Sequence, residues 1–468
     1  APTAENGAFY RYELVSDGSS ISPAGSSEPT LLVGARIAGR LDAAATTLHA
    51  DEIGVRSPQG EVSGHGAVRF ERGKRPGLDL RIDVGAMPVS HAKQLWPWFA
   101  AGSAQRWVTA NVFGGELEGG WVELEVPAGR FGDGTPLRHE EVSGFFKVRG
   151  TRFDVAGRIP PVRDGSGTVA FFGTDVEIEL AEGTVYMPSG RTVAARGGVL
   201  DIRDAHIKPT IGRLDIEVSG QADAVLELAS YDPIGVGRFV DLKPDDLDGT
   251  VSGSVAADIP LQSGVPLDRL DWKVELAYDD LSLARPFQGQ AVSAATGTIV
   301  VDPQKAVIEA RAQLNGLPAT LKLTEPLGRS TEPRQRQIAI DMDDKARAAL
   351  APGLEALLSG IVRVEVGEAG SGAGADAART IRADLQPATL SIPWVGWSKG
   401  AGVAATVSFA MKAAGGRTEL SDFSLRGETF AASGTVLLDE GGVERVRFPA
   451  MRLNRGDDFS LDVARSGA

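Results

Sequence analysis

Cysteine is absent from the 468 residues, which excludes thiolate metal sites, thiol nucleophiles and a disulfide framework. Aromatic residues make up only 6% of the chain, so a few large aromatic-packed domains are a poor description of its core. An excess of positive charge is also missing. The formal net charge is −14, whereas a nucleic-acid binder needs clustered Lys and Arg to release counterions, so no nucleic-acid partner is expected. A polybasic membrane-surface run is equally lacking. No stretch of about 18 apolar residues occurs, so no helical bilayer span is expected. The start, Ala1-Pro2-Thr3-Ala4-Glu5, lacks the basic and apolar regions of a signal peptide. Both ends read as cut from something longer.

What remains is rich in apolar residues, at 42%, and in glycine, with 58 residues. That combination suits many short strands joined by tight turns. Alternation with period two dominates. Val122, Leu124 and Val126 alternate with Glu123 and Glu125, and Val176, Ile178 and Leu180 with Glu177 and Glu179. Leu214, Ile216 and Val218 alternate with Asp215 and Glu217, and Trp272, Val274 and Leu276 with Lys273 and Glu275. Each predicts a strand with one apolar and one charged face, the pattern of an antiparallel sheet. A Gly-x-β-branched opening recurs at Gly66, Gly167, Gly249, Gly297 and Gly434. The irregular spacing indicates hairpins in series rather than a solenoid of fixed period.

Helical signals are few. One spans Pro88 to Val112, with Pro97 and Gly102 breaking it into two short pieces. Weaker ones cover Asp232 to Phe239 and Asp343 to Leu358, the latter interrupted at Pro352. The chain thus divides into a first β segment (1–87), a short Trp-rich helical insert (88–112), a continuous antiparallel β meander (113–340), a short helix (341–360) and a C-terminal β segment (361–468). The last contains a Gly/Ala-rich loop at 367–378. Strand after strand offers an apolar face, and almost no amphipathic helix is available to cover it. Such a sheet packs on another sheet, curls upon itself, or leaves a trough for an apolar ligand. The fold class expected is mainly β, a long antiparallel meander curled into an elongated groove, with a few short helices.

Four stretches carry a resemblance. The segment Ala383 to Gly402, with Ile392-Pro393-Trp394-Val395-Gly396-Trp397-Ser398-Lys399 at its centre, resembles the strand, Pro, Gly-Trp-x-Lys, x-Gly stretch of YhdP-type, AsmA-like envelope proteins of alphaproteobacteria. Leu95-Trp96-Pro97 with Arg106-Trp107-Val108 and Gly114-Gly115 looks like a second landmark. Leu247-Asp248-Gly249 through Asp258-Ile259-Pro260-Leu261, and Asn315-Gly316-Leu317-Pro318-Ala319, look like a third and a fourth. The resemblance implies a periplasmic sheet with a hydrophobic groove, similar to the chorein-like bridges of eukaryotes and related to TamB. It implies phospholipid as partner, with acyl chains passing along the groove between inner and outer membranes. It also implies anchoring to the inner membrane through a segment outside this chain, and membranes at the ends of the full-length protein.

No catalytic centre is legible, and neither an enzyme activity nor a cofactor or metal is expected. His49, His65, His91, His139 and His206 form no HExxH or i, i+4 pair, and no Gly-x-Ser-x-Gly, P-loop or Rossmann glycine pattern occurs. Asp245, Asp246 and Asp248, and Asp341, Asp343 and Asp344, lack the form of a calcium loop and read as helix caps. Glu177 and Glu179 read as a solvated strand face rather than half of a glycosidase pair. Trp96, Trp98 and Trp107, with Trp394 and Trp397, could touch lipid or a membrane interface, where amphipathic rings are favoured, but read rather as plugs sealing the sheet. The lipid-contact candidates are Val176, Ile178, Leu180, Leu214, Ile216, Val218, Val274 and Leu276. The alternative to a lipid bridge is a structural or adhesive extracellular β-protein without lipid cargo; a carbohydrate-active enzyme on a β-scaffold is a third class.

Overall fold

The computed structural model describes residues 9–21, 30–96, 102–154, 158–232, 234–261, 270–287, 289–328, 330–350, 355–368, 379–393, 396–414, 417–439 and 442–465. Strand accounts for 64% and helix for 9%, so the protein is mainly β, an antiparallel sheet with a few short helices. It divides into two compact units, 1–244 with 250–275, and 245–249 with 276–468.

In the first unit, strands Phe9–Ile21, Leu31–Asp42, Thr47–Ser57, Gly60–Arg69 and Gly77–Val84 pair in sequence order, each antiparallel to the next. Glu116–Val126, Val142–Phe153, Val162–Phe172, Asp175–Tyr186, Thr192–Ile202, Ile211–Gln221 and Leu247–Pro260 continue the meander. Phe9–Ile21 has no strand partner other than Leu31–Asp42 among the described residues, so this sheet does not close into a barrel.

Helices interrupt the meander at one end of its strands. Val89–Leu95 and Gly102–Asn111 lie between Val84 and Glu116, close to the start expected from the sequence. The two short pieces expected are there, with Gly102 opening the second. Helix Ala222–Ser230 leaves at Gln221, at the same strand end, because Gly77–Val84 and Ile211–Gln221 run in the same direction. It was not anticipated. The neighbouring stretch that was, Asp232 to Phe239, holds among its described residues only a 3-10 turn at Val236–Arg238. Gly235 adopts φ +57° ahead of it, a left-handed conformation that an α-helix does not tolerate.

In the second unit Val292–Val301, Lys305–Leu314, Leu317–Pro326, Gln335–Met342, Val362–Glu368 and Arg379–Asp384 pair in order. Ala405–Ala414, Arg417–Gly427, Ala431–Asp439, Gly442–Arg452 and Phe459–Ala464 complete it. Helix Asp344–Leu350 begins where Asp343 accepts a hydrogen bond from the Ala346 N–H at 2.8 Å, an N-cap as expected. Leu358 lies in a short strand, not in that helix. Asp246, by contrast, caps no α-helix: it is buried, ends a 3-10 turn and binds the Arg285 guanidinium. Gly367 and Glu368 end a strand, and 369–378 lie outside the described residues. Among the described residues no helix is long and apolar enough to cross a membrane.

Candidate functional site

Because directly opposed residues of a sheet point to the same side, the registers sort the first unit into two faces. Ile37 lies opposite Ile53, Ile53 opposite Gly64, and Gly64 opposite Ile82. Ile82 faces Val122, which faces Gly144. Gly144 faces Phe171, which faces Val176, which faces Ile202. Ile178 sits between Val169 and Leu200, and Leu180 between Gly167 and Gly198. Leu214 sits between Leu200 and Ala257, Ile216 opposes Val255, and Val218 sits between Ala195 and Gly253. Six of the eight candidate residues therefore share one apolar face. Val274 and Leu276 occupy alternate positions of Asp271–Leu283 together with Trp272 and Tyr278.

All eight candidates are half-buried. In a β-sandwich the opposing sheet would bury such side chains. The accessible surface is 27510 Å², whereas two compact domains of half the mass would expose about 20,000 Å² in total. The side chains of the apolar face keep part of their surface accessible.

Glycines flatten this face. A Cβ on Gly144 would lie 2.3 Å from Phe171 Cζ, and one on Gly120 would lie 2.2 Å from Phe146 Cδ1. The two phenyl rings lie over the glycine backbones and stack with centroids 6.4 Å apart. In the second unit Phe409, Phe423 and Phe448 stack with centroids 6.1 and 5.1 Å apart. Side chains laid down in this way leave a floor of low relief.

The opposite face is charged. Arg36 bridges Glu13 and Glu52, Arg81 reaches Glu123, and Lys147 meets Glu118. These pairs are largely exposed, so each contributes little to stability and serves solubility instead.

The strand ends are drier than the strand centres. Under helix Ala222–Ser230, the buried side chains of Val162, Val185, Met187, Val193 and Ala224 form a core. In the second unit a small sheet of Leu358–Ser359, Thr389–Ile392 and Trp397–Lys399 covers Val362, Ala383, Leu385, Ala388, Ala405 and Phe430. Here the Gly-Trp-x-Lys stretch has a structural task. Trp397 packs edge-on against Phe430 at 5.0 Å and donates to the Leu453 carbonyl at 2.9 Å. Lys399 is buried, donating to the Leu385 carbonyl and, at 2.6 Å, to that of Ala388. Burial lowers its pKa. Trp397 is the plug the sequence suggested. Trp107 is not, being exposed on its helix, and Trp98 and Trp394 lie outside the described residues.

Ser57 Oγ lies 3.4 Å from His91 Nδ1 but donates to the Gly60 carbonyl at 3.0 Å. Among the described residues no carboxylate lies within ion-pair distance of His91. No group of three or more His, Asp or Glu among the described residues is placed to hold a metal ion. Comparison with protein-family models, curated proteins and solved structures returned no match.

Proposed function

We propose that the protein is a periplasmic segment of an AsmA-like lipid bridge, carrying phospholipid acyl chains along its apolar face between the inner and outer membranes. The observation that carries this reading is the half-buried apolar face, continuous by register from Ile37 to Ile202 and on through Leu214 to Val255. An apolar surface left in water costs about 25 cal/mol per Å², and an acyl chain lying on it removes that cost without directional contacts. The low relief produced by the phenyl rings over Gly120 and Gly144 gives a hydrocarbon chain no fixed seat, which suits a sliding cargo. The four sequence landmarks of AsmA-like proteins point the same way.

The test is lipid content. The full chain, purified in gentle detergent from a Gram-negative host, should carry several phospholipids by native mass spectrometry. After delipidation it should take up fluorescent phospholipid from vesicles. A chain that neither retains nor takes up lipid overturns the proposal and leaves a structural β-protein.

A further inference from the structure

In the first unit the sheet ends at Phe9–Ile21, which has Leu31–Asp42 on one side and, among the described residues, no strand on the other. A strand so placed offers a row of backbone N–H and C=O groups to any further strand, and natural edges are commonly blunted by lysine, proline or a short length. This one runs for 13 residues and contains neither lysine nor proline. Its interruption is Gly18, at φ +117°, where the register with Leu31–Asp42 shifts between Asp17 and Ser19. From Phe9 to Asp17 the pairing is regular.

The side chains of that regular stretch lack cover. Tyr10, Tyr12 and Leu14 oppose Leu41, Gly39 and Ile37, which puts them on the apolar face, while Phe9, Arg11, Glu13 and Val15 lie on the charged one. Phe9 is 37% exposed, Tyr10 49%, Leu14 61% and Val15 58%. Tyr12, between them, folds back over its own sheet. Its hydroxyl donates to the His49 carbonyl at 2.9 Å, and a Cβ on Gly39 would lie 2.9 Å from that hydroxyl. Glu13 is held by Arg36, whereas Arg11 opposes Arg40 and has no carboxylate within ion-pair distance among the described residues.

We propose that Phe9–Val15 is a dimerisation edge, pairing antiparallel with the same strand of a second copy of this chain about a twofold axis at Tyr12. The inference goes beyond the lipid reading and stands without it. Opposed residues point to the same side of a sheet, so the apolar faces of two copies meet only if the axis passes through a residue rather than between two. An axis at Tyr12 sets Tyr10 opposite Leu14, Phe9 opposite Val15 and Arg11 opposite Glu13. The exposed apolar residues then cover one another, and Arg11 gains an acid. An axis at Arg11 or at Glu13 opposes like charges, which is destabilising, and an axis at Leu14 sets Tyr10 against Gly18 in the bulge. Tyr12, lying flat, leaves the centre of the pair clear. Strand Phe459–Ala464 of the second unit also has a single strand neighbour among the described residues, but it fits this edge less well. With Tyr10 opposite Val463, Val15 would face Asp458, and Arg11 would face an Asp462 already held by Arg445. The twofold pair is also closed, whereas head-to-tail pairing continues without end.

The full chain should sediment as a monomer–dimer mixture whose dimer fraction rises with concentration. Leu14→Lys sets an ammonium against Tyr10 at two symmetric places and should weaken the dimer about tenfold or more. Ile207→Lys, at an apolar residue 54% exposed elsewhere in the first unit, should leave it unchanged. The lack of cysteine makes crosslinking a report on register. Oxidised with copper phenanthroline, Tyr12→Cys should give a disulfide-linked dimer, because directly opposed Cα atoms lie about 5 Å apart. Ser16→Cys, on the same face but displaced along the strand by about 26 Å from its counterpart, should give none. Circular dichroism verifies each fold, and Tyr10→Cys/Leu14→Cys reports the same register should Tyr12→Cys fail to fold. A parent chain that stays monomeric up to its solubility limit, a folded Leu14→Lys that dimerises like the parent, or equal crosslinking from Tyr12→Cys and Ser16→Cys overturns the proposal. Association that is crosslinked in Tyr12→Cys/Leu461→Cys protein but not in Tyr12→Cys also overturns it, because the edge would then pair head to tail.

Discussion

Ile216→Asp places a carboxylate in the middle of the apolar face. Ile216 is half-buried, opposes Val255 and would be 3.1 Å from a Cβ on Gly198. Losing its packing should cost the fold about 1–2 kcal/mol, because the side chain is only partly covered. The effect on lipid should be larger. A passing acyl chain would strip water from the carboxylate, a cost of several kcal/mol that the group escapes only by taking up a proton. Protonating an ordinary aspartate requires about 4 kcal/mol at pH 7 and about 1.5 kcal/mol at pH 5. Lipid loading of Ile216→Asp should therefore fall by more than tenfold at pH 7 and recover much of the loss at pH 5. Glu217→Lys, one residue along on the charged face, should load like the parent chain at both pH values. Loading would be measured by uptake of fluorescent phospholipid, with thermal unfolding to verify the fold. Full loading of Ile216→Asp at pH 7, or equal losses in both variants, would refute the reasoning.

Gly144→Ala should destabilise the first unit by about 1–3 kcal/mol, since the new methyl overlaps the Phe171 ring. Adding Phe171→Leu should relieve part of that cost, seen as a double mutant more stable than the sum of its singles in denaturant titrations. Lys399→Met should cost about 1–3 kcal/mol by taking the Lys399 donor from the buried carbonyls of Ala388 and Leu385, the latter keeping only the Ala388 N–H, read from the midpoint of urea unfolding. The Asp204 N–H, with Arg203 and His139, holds Asp175 below the usual aspartate range. Its folded pKa is lower than its unfolded one, so its contribution is present above about pH 4 and lost as pH falls through the folded value. Asp175→Asn should flatten the stability profile below pH 4, while a profile unchanged from the parent would contradict the assignment.

The strands were legible because their alternation is strict. Val176, Ile178 and Leu180, like Leu214, Ile216 and Val218, needed no tertiary information to be placed on one side. Helix Ala222–Ser230 was not. It follows Ile211–Gln221 without a break, Gln221 gives its N-terminus no side-chain cap, and its buried positions, Ala222 and Ala224, are small. The decision between sandwich core and open trough also lay beyond the sequence. Alternation shows which face is apolar, but exposure depends on what lies above it, and only the half-buried state of all eight candidates supplies that.

The most direct test of the central claim is photo-crosslinking to lipid from both faces of one strand. A photoreactive residue placed at Ile216 should capture phospholipid in the loaded protein, whereas the same residue at Glu217 should capture none. Equal capture from the two positions, or none from either, would contradict an open apolar face that carries lipid.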